Sequence, residues 1–178
     1  MKAKIIKQSL SVVAIATFTF LAVATGDKDK SSSATSVEES TKTAVQIGQV
    51  LQTDYFDVTV NEIAIKDRVS TGNQFADLKK EEGNKYLLIN TTFKNTDKES
   101  RMLSEGTVWI NYNGKDYEFD KSETVMLEGW GIMMEQLNPL TSITTNLVYK
   151  IPSEITGVAM YQPGRSDSDQ KINLGELK

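Results

Sequence analysis

Apolar and polar residues alternate along several short segments after residue 44, and this alternation predicts β-strands. The segment "NKYLLINTTFKNT" is the clearest, with apolar residues and threonines at every second position from Leu87 to Phe93. A second segment, "SITTNLVYKIP", ends at Pro152, which has no N–H to donate to a neighbouring strand. Five of its residues share one face, because side chains two apart point the same way: Ile143, Thr145, Leu147, Tyr149 and Ile151.

Two local signals refine this pattern. In "YFDVTVNEIAIKD" the alternation that includes Val58 and Val60 changes phase before Ile63 and Ile65, which predicts a β-bulge at Asn61-Glu62. In "VWINYNGKDYEF" an Asn-Gly pair separates two alternating runs, which predicts a tight hairpin with a type I′ turn.

The remaining segments complete an all-β pattern. "GVAMY" and "QKINLGEL" predict two closing strands, separated by the turn-rich "QPGRSDSD". The polar connection 66–83 contains "QFADLKKEE", for which we predict a short helix. About seven short strands and little helix favour an antiparallel β-sandwich.

The N-terminus has the pattern of a secretory signal. Three lysines within the first seven residues precede an apolar run, Leu10–Ala24, that is short for a membrane span and ends in a small-x-small sequence. We predict a signal peptide over residues 1–24, a flexible Ser/Thr-rich tether over 25–44 and a domain over 45–178. The leader is either cleaved after Ala24 or retained as an anchor; a lipid anchor would need a cysteine, which the chain lacks.

Composition excludes several function classes. Loss of the three leader lysines would change the net charge from −4 to −7, and an acidic domain has no basic surface for nucleic acid. The absence of histidine and cysteine excludes common zinc sites, Ser-His-Asp triads, Cys-His pairs and disulfides. Carboxylate, lysine, tyrosine or Ser-Lys chemistry remains possible. Because nothing places such groups in one cleft, we predict no enzyme, no cofactor and no resident metal.

Three motifs occur in a recognisable order: Gly83-Asn84-Lys85-Tyr86 before a strand ending in Lys94-Asn95, the hairpin Gly114-Lys115-Asp116-Tyr117, and Leu137-Asn138-Pro139 before a strand closing on Ile151-Pro152. Together they resemble a family of immunoglobulin-like domains of unknown function, common on exported lipoproteins of Gram-positive bacteria. In fold this family is similar to the mycobacterial immunoprotective extracellular protein. The resemblance implies an immunoglobulin-like sandwich outside the cytoplasm, and it implies no catalytic residue. This chain departs from the family at Leu140, where glycine is usual, and in lacking the lipid-bearing cysteine.

The segment "MLEGWGIMME" supplies the candidate partner-binding residues Trp130, Ile132, Met133 and Met134. Tryptophan and methionine are enriched where proteins contact partners, and binding residues often lie on the loops of a rigid sandwich. The alternative is that this loop folds back over the open end of the sandwich, with Trp130 in the core. The strand residue Trp109 is expected in the core.

Carboxylates supply three weaker sets of candidates. They are Asp116, Glu118 and Asp120 for a hard cation such as Ca²⁺, Asp167 and Asp169 in a solvated turn, and Glu118 with Glu123 or Glu128 for acid–base chemistry. A single strand face seldom supplies the oxygen ligands that Ca²⁺ requires, and no pattern places the glutamates in one cleft.

The favoured function is a non-catalytic binding module at the bacterial envelope or in the medium. Its partner would be an unknown protein, peptide or envelope component, with membrane contact only through an uncleaved leader. The alternatives are a cation-dependent structural or adhesive domain and a carboxylate-based hydrolase.

Overall fold

In the computed structural model, the described residues are 44–165 and 169–178. The predicted leader, nearly all of the predicted tether and Asp167 lie outside them. Within the described ranges, no helix has the length and hydrophobicity needed to cross a membrane.

The described chain forms eleven strands, seven of which have five or more residues. The four short strands are β1 (Val45–Gln46), β2 (Val50–Gln52), β5 (Arg101–Met102) and β8 (Gln136–Leu137). The seven longer strands are β3 (Phe56–Lys66), β4 (Asn84–Asn95), β6 (Thr107–Tyr112), β7 (Lys115–Phe119), β9 (Ser142–Pro152), β10 (Gly157–Gln162) and β11 (Ile172–Leu177).

The longer strands form two sheets. The five-stranded sheet has the order β1-β11-β10-β6-β7, and the four-stranded sheet has the order β2-β3-β4-β9. Every pair in these sheets is antiparallel except β1 with β11, which is parallel. The predicted all-β sandwich is therefore confirmed, whereas its immunoglobulin-like character stays a prediction.

One apolar core lies between the sheets, because both contribute their inward-facing residues to it. The largest fully buried contributors are Phe56, Leu87, Ile89, Phe93, Leu147, Tyr149 and Ile151 from the four-stranded sheet, and Ile110, Tyr161, Ile172 and Leu177 from the other. Since the chain has no disulfide, this burial of apolar surface is the main stabilising term.

Both predicted irregularities of the strands are present. The pairing of β3 with β4 shifts register between Val60 and Glu62, as the phase change indicated. β6 and β7 form a hairpin in which Asn113 and Gly114 have positive φ angles of 52° and 75°, as a type I′ turn requires.

The helix predicted in the 66–83 connection is wrong. This segment is a loop closed by pairing of Val69 with Leu78 and by Asp77, whose carboxylate accepts hydrogen bonds from the backbone N–H (2.7 Å) and hydroxyl (3.1 Å) of Thr71. An aspartate that bonds nearby backbone groups favours turns over helix, and here that preference decides the structure.

The core position expected for Trp109 is also wrong. Its neighbours Val108 and Ile110 are fully buried, so strand alternation places Trp109 on the outer face of the five-stranded sheet. There its indole N–H donates to Gln162 Oε1 (3.2 Å), and the Lys171 ammonium lies 4.1 Å from the ring centroid.

Two of the family-like motifs meet at one turn. The fully buried amide of Asn95 donates to the carbonyl oxygens of Leu137 (2.9 Å) and Glu99 (2.8 Å). In the same turn Leu140 donates its N–H to the Asn95 carbonyl (3.0 Å) and has a φ of 63°. Leu140 thus adopts the left-handed conformation that favours glycine, the residue that the family resemblance leads us to expect at this position.

Candidate functional site

The 122–135 segment lies along the outer edge of β9, which ends the four-stranded sheet. The Glu123 N–H donates to the Val148 carbonyl (2.7 Å), and Trp130 forms a parallel bridge with Asn146. The Asn146 N–H donates to the Gly129 carbonyl (2.9 Å), while its own carbonyl accepts from the Gly131 N–H (2.9 Å). These bonds satisfy the middle of the free edge of β9, which would otherwise be open to another strand.

Two glycines give this segment its path. Gly129 and Gly131 have φ angles of 81° and 65°, which residues with a Cβ rarely adopt. Between them, Trp130 is held against β9, and the Thr145 hydroxyl donates to the Gly131 carbonyl (2.8 Å). The Gly-Trp-Gly sequence therefore holds the segment against the edge of β9.

Glu105 fixes the segment to the sandwich. Its carboxylate accepts hydrogen bonds from the Ser122 hydroxyl and from the Ile132 N–H (3.4 Å). Its backbone carbonyl accepts the phenolic O–H groups of Tyr149 (3.0 Å) and Tyr161 (2.6 Å). Burial, the main cause, raises the pKa of both phenols well above the ordinary value, so they remain donors.

Trp130 is half-buried against a small apolar cluster, separate from the main core, formed by Val69, Tyr86, Val125 and Val148. We call this the outer cluster, because Tyr86 and Val148 adjoin the core residues Leu87 and Leu147 on their strands and point to the opposite face. The 66–83 and 122–135 segments cover this face. Trp130 is thus neither in the main core nor a fully exposed anchor.

An ion-pair network joins the two covering segments. The Lys150 ammonium lies 3.0 Å from a Glu81 carboxylate oxygen and 3.2 Å from one of Glu123. The hydrogen bond from Lys150 lowers the pKa of Glu81, and the bonds to Glu81 and Glu123 raise the pKa of Lys150. The network therefore favours the charged form of both partners.

Beside Trp130 the surface opens into a groove of about 580 Å³. Its lining combines residues of the covering segment with two residues of β9. Among them are Met126, Glu128, Trp130, Met133, Glu135 and Ile143. A neighbouring groove of about 360 Å³ shares Val125 and Met126 and adds Phe75. The volume of the first falls within the ~300–1,000 Å³ typical of ligand pockets.

The structure separates the four predicted site residues. Trp130 and Met133 line the groove, and the Met133 side chain is 48% exposed. Met134 is 83% exposed with a φ of 46°, but it does not line the groove. Ile132 is half-buried and packs against the main core, and it does not line the groove.

Sequence reasoning missed two exposed apolar residues at the grooves, Met126 (76% exposed) and Phe75 (91% exposed). Met126 is the first residue of "MLEGWGIMME", so its closeness in sequence to Trp130 was a usable signal. Phe75 had none, because its position beside Met126 depends on two segments distant in sequence.

The carboxylate candidates do not form a shared site. Asp116 and Glu118 are exposed on β7, where Asp116 accepts a hydrogen bond from the Asn111 amide (2.7 Å). Across residues 44–165 and 169–178, no three acidic side chains are grouped so that they could hold a metal ion. Glu118 lies on the five-stranded sheet, whereas Glu123 bonds Lys150 on the other sheet.

Two solved structures share this architecture. An uncharacterised β-sandwich protein from Clostridium difficile 630 matches with a TM-score of 0.51 at 18% identity, over 73% of this chain and 92% of that one. A conserved hypothetical protein from Bacillus anthracis matches with a TM-score of 0.50 at 20% identity, over 75% and 95%. At these identities the likeness is one of fold.

Comparison with curated protein sequences finds no significant match. The family model described as "Domain of unknown function (DUF4352)" matches residues 45–171, which include every strand from β1 to β10. The chain therefore belongs to the DUF4352 family.

Proposed function

We propose that this protein is a non-catalytic binding module that acts outside the cytoplasm and holds a protein, peptide or envelope partner in the groove beside Trp130. The observation that carries the proposal is this groove, formed by an irregular segment clamped to the rigid edge of β9. Binding residues commonly lie on irregular segments that a regular scaffold positions.

The exposed apolar residues support the choice of surface. Three large apolar side chains that line the two grooves are exposed by about half or more: Phe75, Met126 and Met133. Grouped apolar exposure, in contrast to single exposed residues, is typical of interaction sites. Methionine side chains are flexible and polarisable, so they adapt to the shape of a partner.

The extracytoplasmic location rests on the leader pattern of residues 1–24. The non-catalytic assignment rests on the chain's lack of histidine and cysteine and on the separation of Glu118 from Glu123. General acid–base catalysis needs groups that converge on one reacting atom.

Site-specific photo-cross-linking in the producing cells tests the proposal. A photoreactive residue replacing Met133 should yield a discrete adduct, because position 133 lines the groove. The same residue at Leu140, which is 75% exposed and outside the groove, is the matched control. Equal adducts from both positions, or none from position 133, would contradict the proposal.

Replacement of Trp130 by alanine gives a second test. We expect the 133 adduct to disappear while circular dichroism still shows the β-sandwich, because Trp130 packs outside the main core. An unchanged adduct together with an unchanged fold would remove Trp130 from the site.

A further inference from the structure

The groove is negative as well as apolar. Among the described residues, its lining contains two ionisable side chains, those of Glu128 and Glu135, and no lysine or arginine. Within residues 44–165 and 169–178, neither carboxylate has a side-chain hydrogen bond or an ion pair. Both are therefore available to a cationic partner.

Several other carboxylates on the surface are already paired. Glu81 and Glu123 share Lys150, and Asp97 bonds the guanidinium of Arg101. Glu128 and Glu135 differ from these because their unpaired charges lie next to the exposed apolar side chains. The groove thus combines unpaired negative charge with exposed apolar side chains.

The apolar part favours flexible, extended contact. Met126 and Met133 line the groove on the solvent side, while Trp130 and Ile143 contribute its more buried surface. Methionine-rich surfaces accept differing apolar side chains because the thioether has several low-energy conformations. The Trp130 ring can also attract a cation through its π face.

The neighbouring groove extends the same character. It shares Val125 and Met126 with the first groove and adds Phe75, and no lysine or arginine of the described part of the chain lines it. Its one carboxylate, that of Asp77, is held by Thr71. A partner longer than one groove would therefore meet the exposed side chains of Met126 and Phe75 in succession, with negative charge beside Trp130.

From this charge complementarity we propose that the groove binds a cationic amphipathic peptide segment, in which leucine-like side chains alternate with lysine or arginine. This inference rests on the proposed function and specifies its partner. Apolar side chains of the peptide would contact Met126, Met133 and Trp130, and its cations would pair with Glu128 and Glu135. An anionic lipid surface would be repelled by the same carboxylates.

Fluorescence titration of the full chain tests this inference. The chain has two tryptophans, so a Trp109→Phe background makes Trp130 the sole reporter. Three synthetic peptides of equal length serve as probes: a leucine/lysine amphipathic peptide, its leucine/glutamate counterpart and a serine/lysine counterpart. We expect the leucine/lysine peptide alone to change the Trp130 emission in a saturable way.

Matched variants separate a specific site from general attraction to an acidic protein. The Glu128→Gln/Glu135→Gln pair should weaken binding about tenfold or more, because it removes the groove charges. The Glu154→Gln/Glu176→Gln pair changes net charge equally at exposed positions outside the groove and should leave affinity unchanged. Met126→Ser/Met133→Ser should weaken binding as strongly as removal of the groove charges.

Three outcomes would overturn the inference: equal binding of the glutamate peptide, equal effects of the two glutamine pairs, or no binding of any peptide. The photo-cross-link from position 133 distinguishes these from failure of the proposed function. If that adduct forms while the peptides do not bind, the groove holds a partner of another chemistry.

Discussion

The two faces of the four-stranded sheet differ in how they are covered. On the inner face, Leu87 and Leu147 are fully buried against the opposite sheet. On the outer face, their strand neighbours Tyr86 and Val148 are equally buried, but by two irregular segments. The same strands therefore support one regular layer and one irregular layer.

Under the proposed function, this difference assigns stability to the inner layer and binding to the outer layer. The inner layer consists of long strands. Their continuous pairing restricts the backbone, so this layer is suited to form the stable core. The outer layer is attached through a few hydrogen bonds at Gly129, Gly131 and Glu105, and it carries the exposed methionines. Five substitutions test this division, in order of decreasing expected effect.

Replacement of Leu147 by alanine should lower the free energy of unfolding by about 2–5 kcal/mol, because it leaves a cavity in the main core. Urea denaturation measures this loss, with Met134→Ser as the surface control, expected within about 0.5 kcal/mol. A loss below about 1 kcal/mol for Leu147→Ala would mean that the inner layer does not dominate stability.

Replacement of the adjacent Val148 by alanine tests the outer layer. The expected loss is about 1–2.5 kcal/mol, because fewer buried carbons are removed from a smaller cluster. In the Trp109→Phe background, the emission of Trp130 should also shift to longer wavelength, since its packing partner is reduced. Leu147→Ala should not shift this emission in the folded protein, and an equal shift from both variants would refute the separation of layers.

Replacement of Gly131 by alanine should cost about 1 kcal/mol, because a Cβ disfavours the positive φ at this position. Steric exclusion is not the cause, since the nearest atom to an added Cβ would be a Glu105 carboxylate oxygen at 3.8 Å. Hydrogen exchange should therefore be faster in the 122–135 segment and unchanged in β3 and β4.

Replacement of Leu140 by glycine should stabilise the protein by about 0.5 kcal/mol. Relief of the left-handed conformation, which costs about 1–2 kcal/mol for a residue with a Cβ, exceeds the added chain entropy of glycine. The turn belongs to neither layer, so Trp130 emission should stay unchanged. A lower free energy of unfolding in urea would show that the Leu140 side chain makes a stabilising contact.

The smallest effect is expected for Glu81→Gln. The pKa of Glu81 is lowered by the hydrogen bond from Lys150, so its stabilisation is present above the unfolded-state pKa and is lost as pH falls below about 4.5. The melting temperatures of wild type and variant should therefore differ slightly at pH 7 and converge at pH 3. A constant difference across this range would contradict the role of the charge.

The regular layer could be predicted from the sequence because its signals are local. The Asn113-Gly114 pair and the phase change near Asn61 each specify a geometry within a few residues, and the structure confirms both.

The helix predicted at "QFADLKKEE" is wrong because Asp77 bonds Thr71 instead. The core position expected for Trp109 is wrong because strand alternation between the inward-facing Val108 and Ile110 outweighs the tendency of a large aromatic side chain to be buried.

The irregular layer could not be predicted in the same way. The groove depends on contact between the 122–135 segment and β9, and on Phe75 reaching the same surface from a distant loop. Glu105 gave no pattern at all, although it joins the covering segment to two strand tyrosines. Such positions are defined by tertiary contacts, which a single sequence does not display.

The burial of the Tyr149 and Tyr161 phenols, which donate to the Glu105 carbonyl, has a consequence in alkali. The folded chain retains two phenolic protons that an unfolded chain would release above about pH 10, so base favours unfolding. The ultraviolet absorbance of these two phenolates should consequently rise together with the loss of circular dichroism, in one cooperative step. Ionisation of tyrosine then becomes an intrinsic signal for the opening of the sandwich.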